Sequence, residues 1–191
     1  MPVLTDYIAS VKKRTGRGLT RLFYAFFTLV PSLVYAQTNE YQVKAVFVFN
    51  FTHFVKWPSH AFPDARAPFV IGVFGKELVS YLQEAVEGEK MEGHPLVVRS
   101  FENLKKMETC HIIFIEKRHA SSIRKIIAEL IDKPVLTVSD ADNFMEDGGM
   151  IQLYDDNEKI RLEINPKKSE ESSLTVSAKL LNLATIFKSN D

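Results

Sequence analysis

The spacing of apolar residues predicts buried strands that alternate with amphipathic helices through the middle of the chain. The clearest helix carries apolar residues at the three-, four-, seven- and eight-residue spacing of one buried face. These residues are Ile123, Ile126, Ile127, Leu130 and Ile131. Apolar runs at 69–74, 111–115 and 135–138, a strand pattern at 95–100 and a helix-like segment at 76–87 accompany it. Because such alternation is typical of sheets covered on both faces, we predict an α/β fold with a mostly parallel sheet flanked by helices.

The pattern differs on either side of this region. Residues 41–57 are densely aromatic and fit both strand alternation and a helical stripe, but their length favours a helix that ends before Pro58. Segments 150–154 and 159–164 flank a polar turn, which predicts an antiparallel hairpin. Residues 174–187 predict a terminal amphipathic helix packed on the sheet. Its apolar side would carry Leu180, Leu181, Leu183, Ala184 and Phe187.

A basic segment followed by an apolar run begins the chain and is typical of a secretory signal peptide. Five basic side chains between residues 12 and 21 precede an apolar run at 22–34, and Val34 and Ala36 fit a signal peptidase site. The run is shorter than the roughly 20 apolar residues that a membrane anchor needs. We therefore predict cleavage after Ala36, export, no membrane insertion after cleavage, and a single domain over 37–191.

Composition excludes nucleic-acid binding and an intrachain disulfide. The predicted leader holds five of the 24 basic side chains and one of the 24 acidic ones, so the remaining chain is mildly acidic. Nucleic-acid binding needs clustered Lys and Arg, which this composition does not supply. Cys110 is the only cysteine, so an intrachain disulfide is excluded. Its thiol fits either a buried, inert group or an intermolecular bridge.

Candidate chemistry follows the predicted strands. Ligands of open α/β sheets bind beyond the carboxyl ends of the parallel strands, where this chain places Gly75, Glu116 and Asp140. These residues are candidates for a small-ligand crevice, although a tight turn at Gly75 and acidic caps at Glu116 and Asp140 fit them better. The histidines show no spacing typical of metal ligands, and His111 beside Cys110 would point to the opposite face of a strand. We therefore predict no catalytic residue, metal or cofactor.

Two groups of residues are candidates for partner contacts. His53 and Trp57 lie one helical turn apart, with Lys56 beside them, and tryptophan often anchors interfaces as well as cores. Arg161 and Glu163 lie two residues apart on a predicted strand and therefore share a face. That face fits either a solvated surface or the rim of a recognition site.

Several stretches together resemble the YfiR/HmsC-like family of exported proteins. They cover nearly the whole predicted mature chain: YQVKAVFVFNFTHFVKWP at 41–58, FVIGVFG at 69–75, CHIIFI at 110–115, PVLTVSD at 134–140, GGMIQLY at 148–154, KIRLEIN at 159–165 and SAKLLNLA at 177–184. The resemblance implies a regulatory protein, not an enzyme, in the periplasm of a Gram-negative bacterium. It would repress an inner-membrane diguanylate cyclase through the periplasmic sensor region of that enzyme, and so lower cyclic di-GMP and biofilm formation.

The resemblance also bears on partners. It implies a homodimer, contact with the cyclase, and an outer-membrane lipoprotein as a further partner. We expect cyclase contacts first at His53, Lys56 and Trp57, then at Arg161 and Glu163. Relatives often contain more than one cysteine, so the single Cys110 does not support a disulfide switch. The alternative function is a periplasmic small-ligand-binding module that uses the crevice at Gly75, Glu116 and Asp140.

Overall fold

A computed structural model describes residues 34–102, 110–157 and 159–188 of the chain. The chain divides into two compact units, Met1–Asn39 and Glu40–Asp191, and the strands described below lie within the second. Most of the predicted leader lies outside the described residues, so cleavage after Ala36 stays a prediction. Within the described part, no helix combines the length and the apolarity that crossing a membrane requires.

The helices and strands are short apart from the first helix. The helices are α1 (Val34–Phe54), α2 (Val79–Ala85), α3 (Ile123–Glu129), α4 (Pro166–Glu171) and α5 (Ala178–Leu181). The strands are β1 (Val55–Lys56), β2 (Phe69–Phe74), β3 (Lys90–Met91), β4 (His94–Phe101), β5 (Ile112–Ile115), β6 (Leu136–Ser139), β7 (Ile151–Asp156), β8 (Lys159–Ile164), β9 (Thr175–Val176) and β10 (Thr185–Ile186). Short 3-10 helices occupy Ser59–Ala61 and Lys117–Ser122, and the second has a kink at His119.

The described strands form one large mixed sheet and one small ribbon. The sheet has the order β10-β8-β7-β6-β5-β2-β4-β3, and β1 pairs separately with β9. Strands β4, β2, β5, β6 and β7 are parallel neighbours, whereas β8 runs antiparallel to β7 and β3 runs antiparallel to β4. The α/β class and the β7–β8 hairpin are confirmed. The prediction of a mostly parallel sheet holds only for the centre, since the whole sheet is mixed.

The sheet separates two apolar cores, because side chains alternate between its faces along each strand. The first core contains Phe51 of α1, Leu82 of α2 and alternate residues of the central strands. The second core contains Ile123 and Ile126 of α3 with the intervening residues of the same strands. Helices therefore cover both faces, as predicted.

The prediction of a terminal helix over 174–187 is wrong. The segment forms β9, the single turn α5 and the edge strand β10 instead. The Ser177 side chain accepts a hydrogen bond from the Leu180 backbone N–H and so starts α5. Thr185 then pairs with Glu163, because the free edge of β8 offers backbone hydrogen bonds to this segment. Leu183, predicted to be buried, is 74% exposed.

Three further helix predictions need correction at their ends. Ile131 lies beyond α3 and is 62% exposed, because Asp132 has a positive φ of 63° and turns the chain away. The segment predicted at 76–87 is helical only in α2. The helix predicted over 41–57 ends earlier, because α1 ends at Phe54 and the next two residues form β1.

Candidate functional site

Glu116 follows β5 and occupies the crevice that the sequence predicts at the carboxyl edge of the sheet. Its Oε1 accepts hydrogen bonds from the backbone N–H groups of Glu77 and Leu78, at 2.6 and 3.2 Å. Its Oε2 lies 2.8 Å from a guanidinium nitrogen of Arg118, an ion pair without hydrogen-bond geometry. A Cβ atom at Gly75, where φ is 143°, would lie 2.1 Å from the Glu116 carboxylate. The chain thus places its own carboxylate where such folds commonly bind anionic ligands.

Asp140 follows β6 and makes a buried ion pair with Lys44 of α1. Asp140 Oδ2 lies 2.6 Å from Lys44 Nζ, and the two side chains are only 5% and 4% exposed. Burial disfavours the lysine charge, but hydrogen bonds to Asp140 and Glu40 outweigh this effect and raise the pKa of Lys44. Asp140 Oδ1 also accepts a hydrogen bond from the Lys117 backbone N–H, at 2.7 Å. The Lys44–Asp140 pair therefore connects α1 to the carboxyl edge of the sheet.

The structure brings the three predicted crevice residues to the same edge. Gly75 and Glu116 are in direct contact, and Asp140 binds the backbone of the residue that follows Glu116. Their observed contacts are those of a turn and of acidic groups paired within the chain. This favours the structural interpretation of these residues that the sequence left open.

Trp57, predicted as a partner contact, has its contacts inside the protein. Its indole Nε1–H donates a hydrogen bond to the His111 carbonyl at 3.1 Å. Its ring packs edge-on against Phe69, with the centroids 4.8 Å apart. His53 and Lys56 are exposed instead, and the His53 ring packs edge-on against Phe49. Of this predicted group, His53 and Lys56 therefore face solvent.

Arg161 and Glu163 share one face of β8, as predicted. The alternate residues Leu162 and Ile164 pack into the first core with α1, so Arg161 and Glu163 point to the other side of the sheet. Arg161 is exposed and pairs with Asp156 at 3.3 Å. Burial raises the pKa of Glu163, and the negative charge of Glu146 adds to this effect. The structure therefore does not join this pair with His53 of α1 on one surface.

An apolar groove between α1, β8 and the segment around α5 was missed by the sequence analysis. It has a volume of about 410 Å³. Its lining includes Phe47 and Phe54 of α1, Arg161 of β8 and the exposed Leu183. Val46 of α1, outside this lining, is itself 48% exposed. We call these nine lining residues the α1 groove: Phe47, Asn50, Phe51, Phe54, Ile160, Arg161, Leu162, Leu180 and Leu183.

The sequence contained a sign of this groove. Residues 41–57 fit two periodicities because α1 is apolar on the side away from the core as well as on the side towards it. A helix that is apolar all round is expected to be buried on all sides. Here Val46 is exposed, and Phe47 and Phe54 are only half-buried, so α1 has apolar surface available for a partner.

His111 and Cys110 precede β5 at the amino edge of the sheet. The Val70 backbone N–H donates to His111 Nδ1 at 3.0 Å, so Nε2 carries the proton and donates to the Ala61 carbonyl at 3.2 Å. Burial lowers the pKa of His111 to about 4, so the ring is neutral at pH 7. Cys110 is buried, and burial raises the pKa of its thiol to about 12. These surroundings favour the inert thiol over the intermolecular bridge.

Three comparisons with known proteins bear on identity. A solved structure described as a conserved domain protein from Vibrio cholerae O1 biovar El Tor strain N16961 is 17% identical, with a TM-score of 0.48. That similarity covers 62% of this chain and 54% of the other, so the chain spans about half the length of that protein. A similarity this distant carries no functional information. Among curated proteins, none matches the chain significantly.

The family comparison is decisive. The model of the family described as YfiR/HmsC-like matches residues 41–185, which include all the strands of the large sheet except the last residue of β10. The match agrees with the resemblance found in the sequence. The chain belongs to the YfiR/HmsC-like family.

Proposed function

We propose that this protein is an exported regulatory binding protein that represses an inner-membrane diguanylate cyclase through its periplasmic sensor region. Family membership carries the proposal, since the YfiR/HmsC-like family suggests periplasmic regulation of diguanylate cyclases. The proteins of this family are regulatory repressors, and we propose the same non-enzymatic role here. The expected outcome of repression is a lower level of cyclic di-GMP and less biofilm.

The α1 groove is the surface that we propose for the cyclase. Contiguous apolar surface marks protein interaction sites, and the groove joins the half-buried Phe47 and Phe54 to Leu183, which is 74% exposed. Of the described residues that line the groove, none is acidic, and Arg161 contributes from β8 while its side chain points to the other face of the sheet. We therefore expect an apolar stretch of the cyclase to pack against Phe47, Phe54 and Leu183.

Repression by binding requires no catalysis, only a difference in affinity. A repressor that binds the inactive arrangement of the cyclase more tightly than the active one shifts the population towards inactivity. Moving that equilibrium from 1:99 to 99:1 requires about 5.5 kcal/mol of differential binding free energy. An interface with a few buried apolar anchors supplies free energies of this size.

Export and assembly complete the proposal. Cleavage after Ala36 would release residues 37–191 into the periplasm. The homodimer and the outer-membrane lipoprotein partner rest on the family resemblance. The proposed roles of His53, Lys56, Arg161 and Glu163 as additional contacts also rest on it, although His53, Lys56 and Arg161 have the necessary exposure.

The test is the cellular level of cyclic di-GMP in a strain that lacks the gene. Complementation uses either the full chain or a variant that lacks residues 2–36, with both proteins quantified by immunoblot. We expect deletion to raise cyclic di-GMP and only the exported form to lower it again. An unchanged level, in cells where the wild-type protein is produced, would contradict repression. Equal rescue by both forms would contradict repression from the periplasm.

A further inference from the structure

A cleft of about 420 Å³ lies at the amino edge of the sheet. This edge is opposite to the one where Glu116 and Asp140 make their internal contacts. Residues between 60 and 68 before β2, Cys110 and His111 directly before β5, and residues 133–135 before β6 form most of the described lining, and Arg99 of β4 completes it. The volume is within the range of small-molecule sites in proteins, roughly 300–1,000 Å³.

Rigid apolar residues form much of the cleft. Pro63, Pro68 and Pro134 line it together with Val70 and Val135. A proline ring fixes φ and carries no N–H group, so these residues lose little freedom when a ligand binds and require no hydrogen bond from it. The cleft is therefore preformed for the apolar body of a ligand.

The permanent charges in the described lining of the cleft are positive. They belong to Arg99 and Lys133, and among the described lining residues none is Asp or Glu. Arg99 is exposed and lies in register with Gly72, on the same sheet face as Cys110. Its charge opposes the effect of burial on the pKa of Cys110, which places the guanidinium within electrostatic reach of the buried side of the cleft.

The neutral polar groups in the cleft are engaged within the protein. Both ring nitrogens of His111 bind backbone atoms, those of Val70 and Ala61. The ring also stacks on Phe62 and Phe69, with centroids 4.5 and 4.6 Å apart. Arg99, an exposed positive side chain of the cleft, is therefore the group that would select a ligand by its charge.

We propose that this cleft binds a small amphipathic anion, with its apolar body against the prolines and Val135 and its carboxylate at Arg99. The guanidinium is suited to this role, because it donates two parallel hydrogen bonds to one carboxylate. The site is independent of the α1 groove and of the repressor function. It also differs from the crevice at the carboxyl edge, which Glu116 occupies.

Calorimetric titration with three probes of one shape tests this site. The probes are 3-phenylpropanoate, neutral 3-phenylpropanamide and cationic 3-phenylpropylamine, added at constant ionic strength to protein purified from the periplasm. We expect the anion to bind about tenfold more tightly than the amide and the cation to bind most weakly, because charged hydrogen bonds contribute more than neutral ones. Equal affinity for the three probes, or binding of none at millimolar concentration, would overturn the proposal.

Variants locate the binding. Arg99→Gln should weaken binding of the anion about tenfold and leave the amide unchanged. Lys125→Gln removes an exposed positive charge from α3, outside the cleft, and should change neither. Arg99→Glu should reverse the preference from the anion to the cation, a gain that a misfolded variant cannot show. Unaltered probe preference in Arg99→Glu would refute the assignment of the site.

Discussion

The carboxyl edge of the sheet and the α1 groove differ in whether their side chains have contacts within the protein. At the carboxyl edge, Glu116 binds backbone N–H groups and Asp140 binds Lys44, so buried charges are paired within the protein. In the α1 groove, Leu183 is left largely exposed to solvent. The general rule for α/β sheets directs attention to the first region. The comparison teaches that the rule identifies an edge already occupied by the chain's own groups, whereas the α1 groove keeps the unpartnered apolar surface that we propose for the cyclase.

Breaking the Lys44–Asp140 pair should have the largest effect on stability. Lys44→Met leaves Asp140 buried without its opposite charge, so we expect the free energy of unfolding to fall by about 3–5 kcal/mol. Urea unfolding measures this change. Lys56→Met removes an exposed lysine of β1, two residues after α1 ends. Its free energy of unfolding should stay within about 0.5 kcal/mol of the wild-type value. Equal stability of the two variants would contradict the structural role of the carboxyl edge.

Gly75→Ala tests the same edge without changing charge. The added Cβ would collide with the Glu116 carboxylate, so we expect a loss of about 2–3 kcal/mol in the free energy of unfolding. Gly93→Ala is the matched control, because Gly93 also has a positive φ, of 93°, but no atom lies within 4 Å of its added Cβ. It should lose about 1 kcal/mol from backbone strain alone. If both variants lose the same amount, the close contact between Gly75 and Glu116 is refuted.

His111 extends the comparison to the amino edge, where a buried group binds backbone atoms rather than an opposite charge. Its pKa is about 4 in the folded protein and 6.5 in the reference state, so below pH 6.5 the unfolded chain takes up a proton that the folded one does not. Stability is therefore lost as the pH falls, by about 2 kcal/mol at pH 5 relative to pH 7.

Urea unfolding at pH 7 and pH 5 measures this loss. His111→Asn retains an acceptor for the Val70 N–H but cannot titrate, so its stability should fall less between the two pH values. Exposed His53, replaced in the same way, should retain the wild-type dependence. A dependence in His111→Asn as steep as in the wild type would show that another group is responsible.

Leu183→Glu should have the smallest effect on stability. The side chain is mostly exposed, so we expect a change within about 0.5 kcal/mol in the free energy of unfolding. Thermal unfolding followed by circular dichroism measures it. A loss above 2 kcal/mol would show that Leu183 stabilises the fold and is not free to contact a partner.

The sequence predicts the central strands and the hairpin because each of their apolar patterns fits only one type of secondary structure. Continuous apolar runs such as 69–74 need burial on both faces, and β2 is indeed buried along its whole length. The positions of Glu116 and Asp140 at one edge follow from the order of strands and helices. Their partners do not, because the contact between Lys44 and Asp140 joins residues 96 positions apart in the chain.

The terminal segment was mispredicted because local periodicity competes there with pairing at the edge of the sheet. Leu180 and Leu183 have helical spacing, but the free edge of β8 binds the backbone at Thr185. This outcome leaves Leu183 exposed beside α1. The same competition that defeats the helix prediction therefore creates the groove, which no pattern within residues 174–187 could reveal.

Cellular cyclic di-GMP in a strain that carries Leu183→Glu tests the central claim most directly. The matched control is Asn182→Glu, which adds the same charge at the next, exposed residue outside the groove lining. With equal amounts of folded protein in the periplasm, we predict that Leu183→Glu fails to lower cyclic di-GMP, whereas Asn182→Glu lowers it as the wild type does. Full repression by Leu183→Glu would contradict the assignment of the α1 groove as the surface that binds the cyclase.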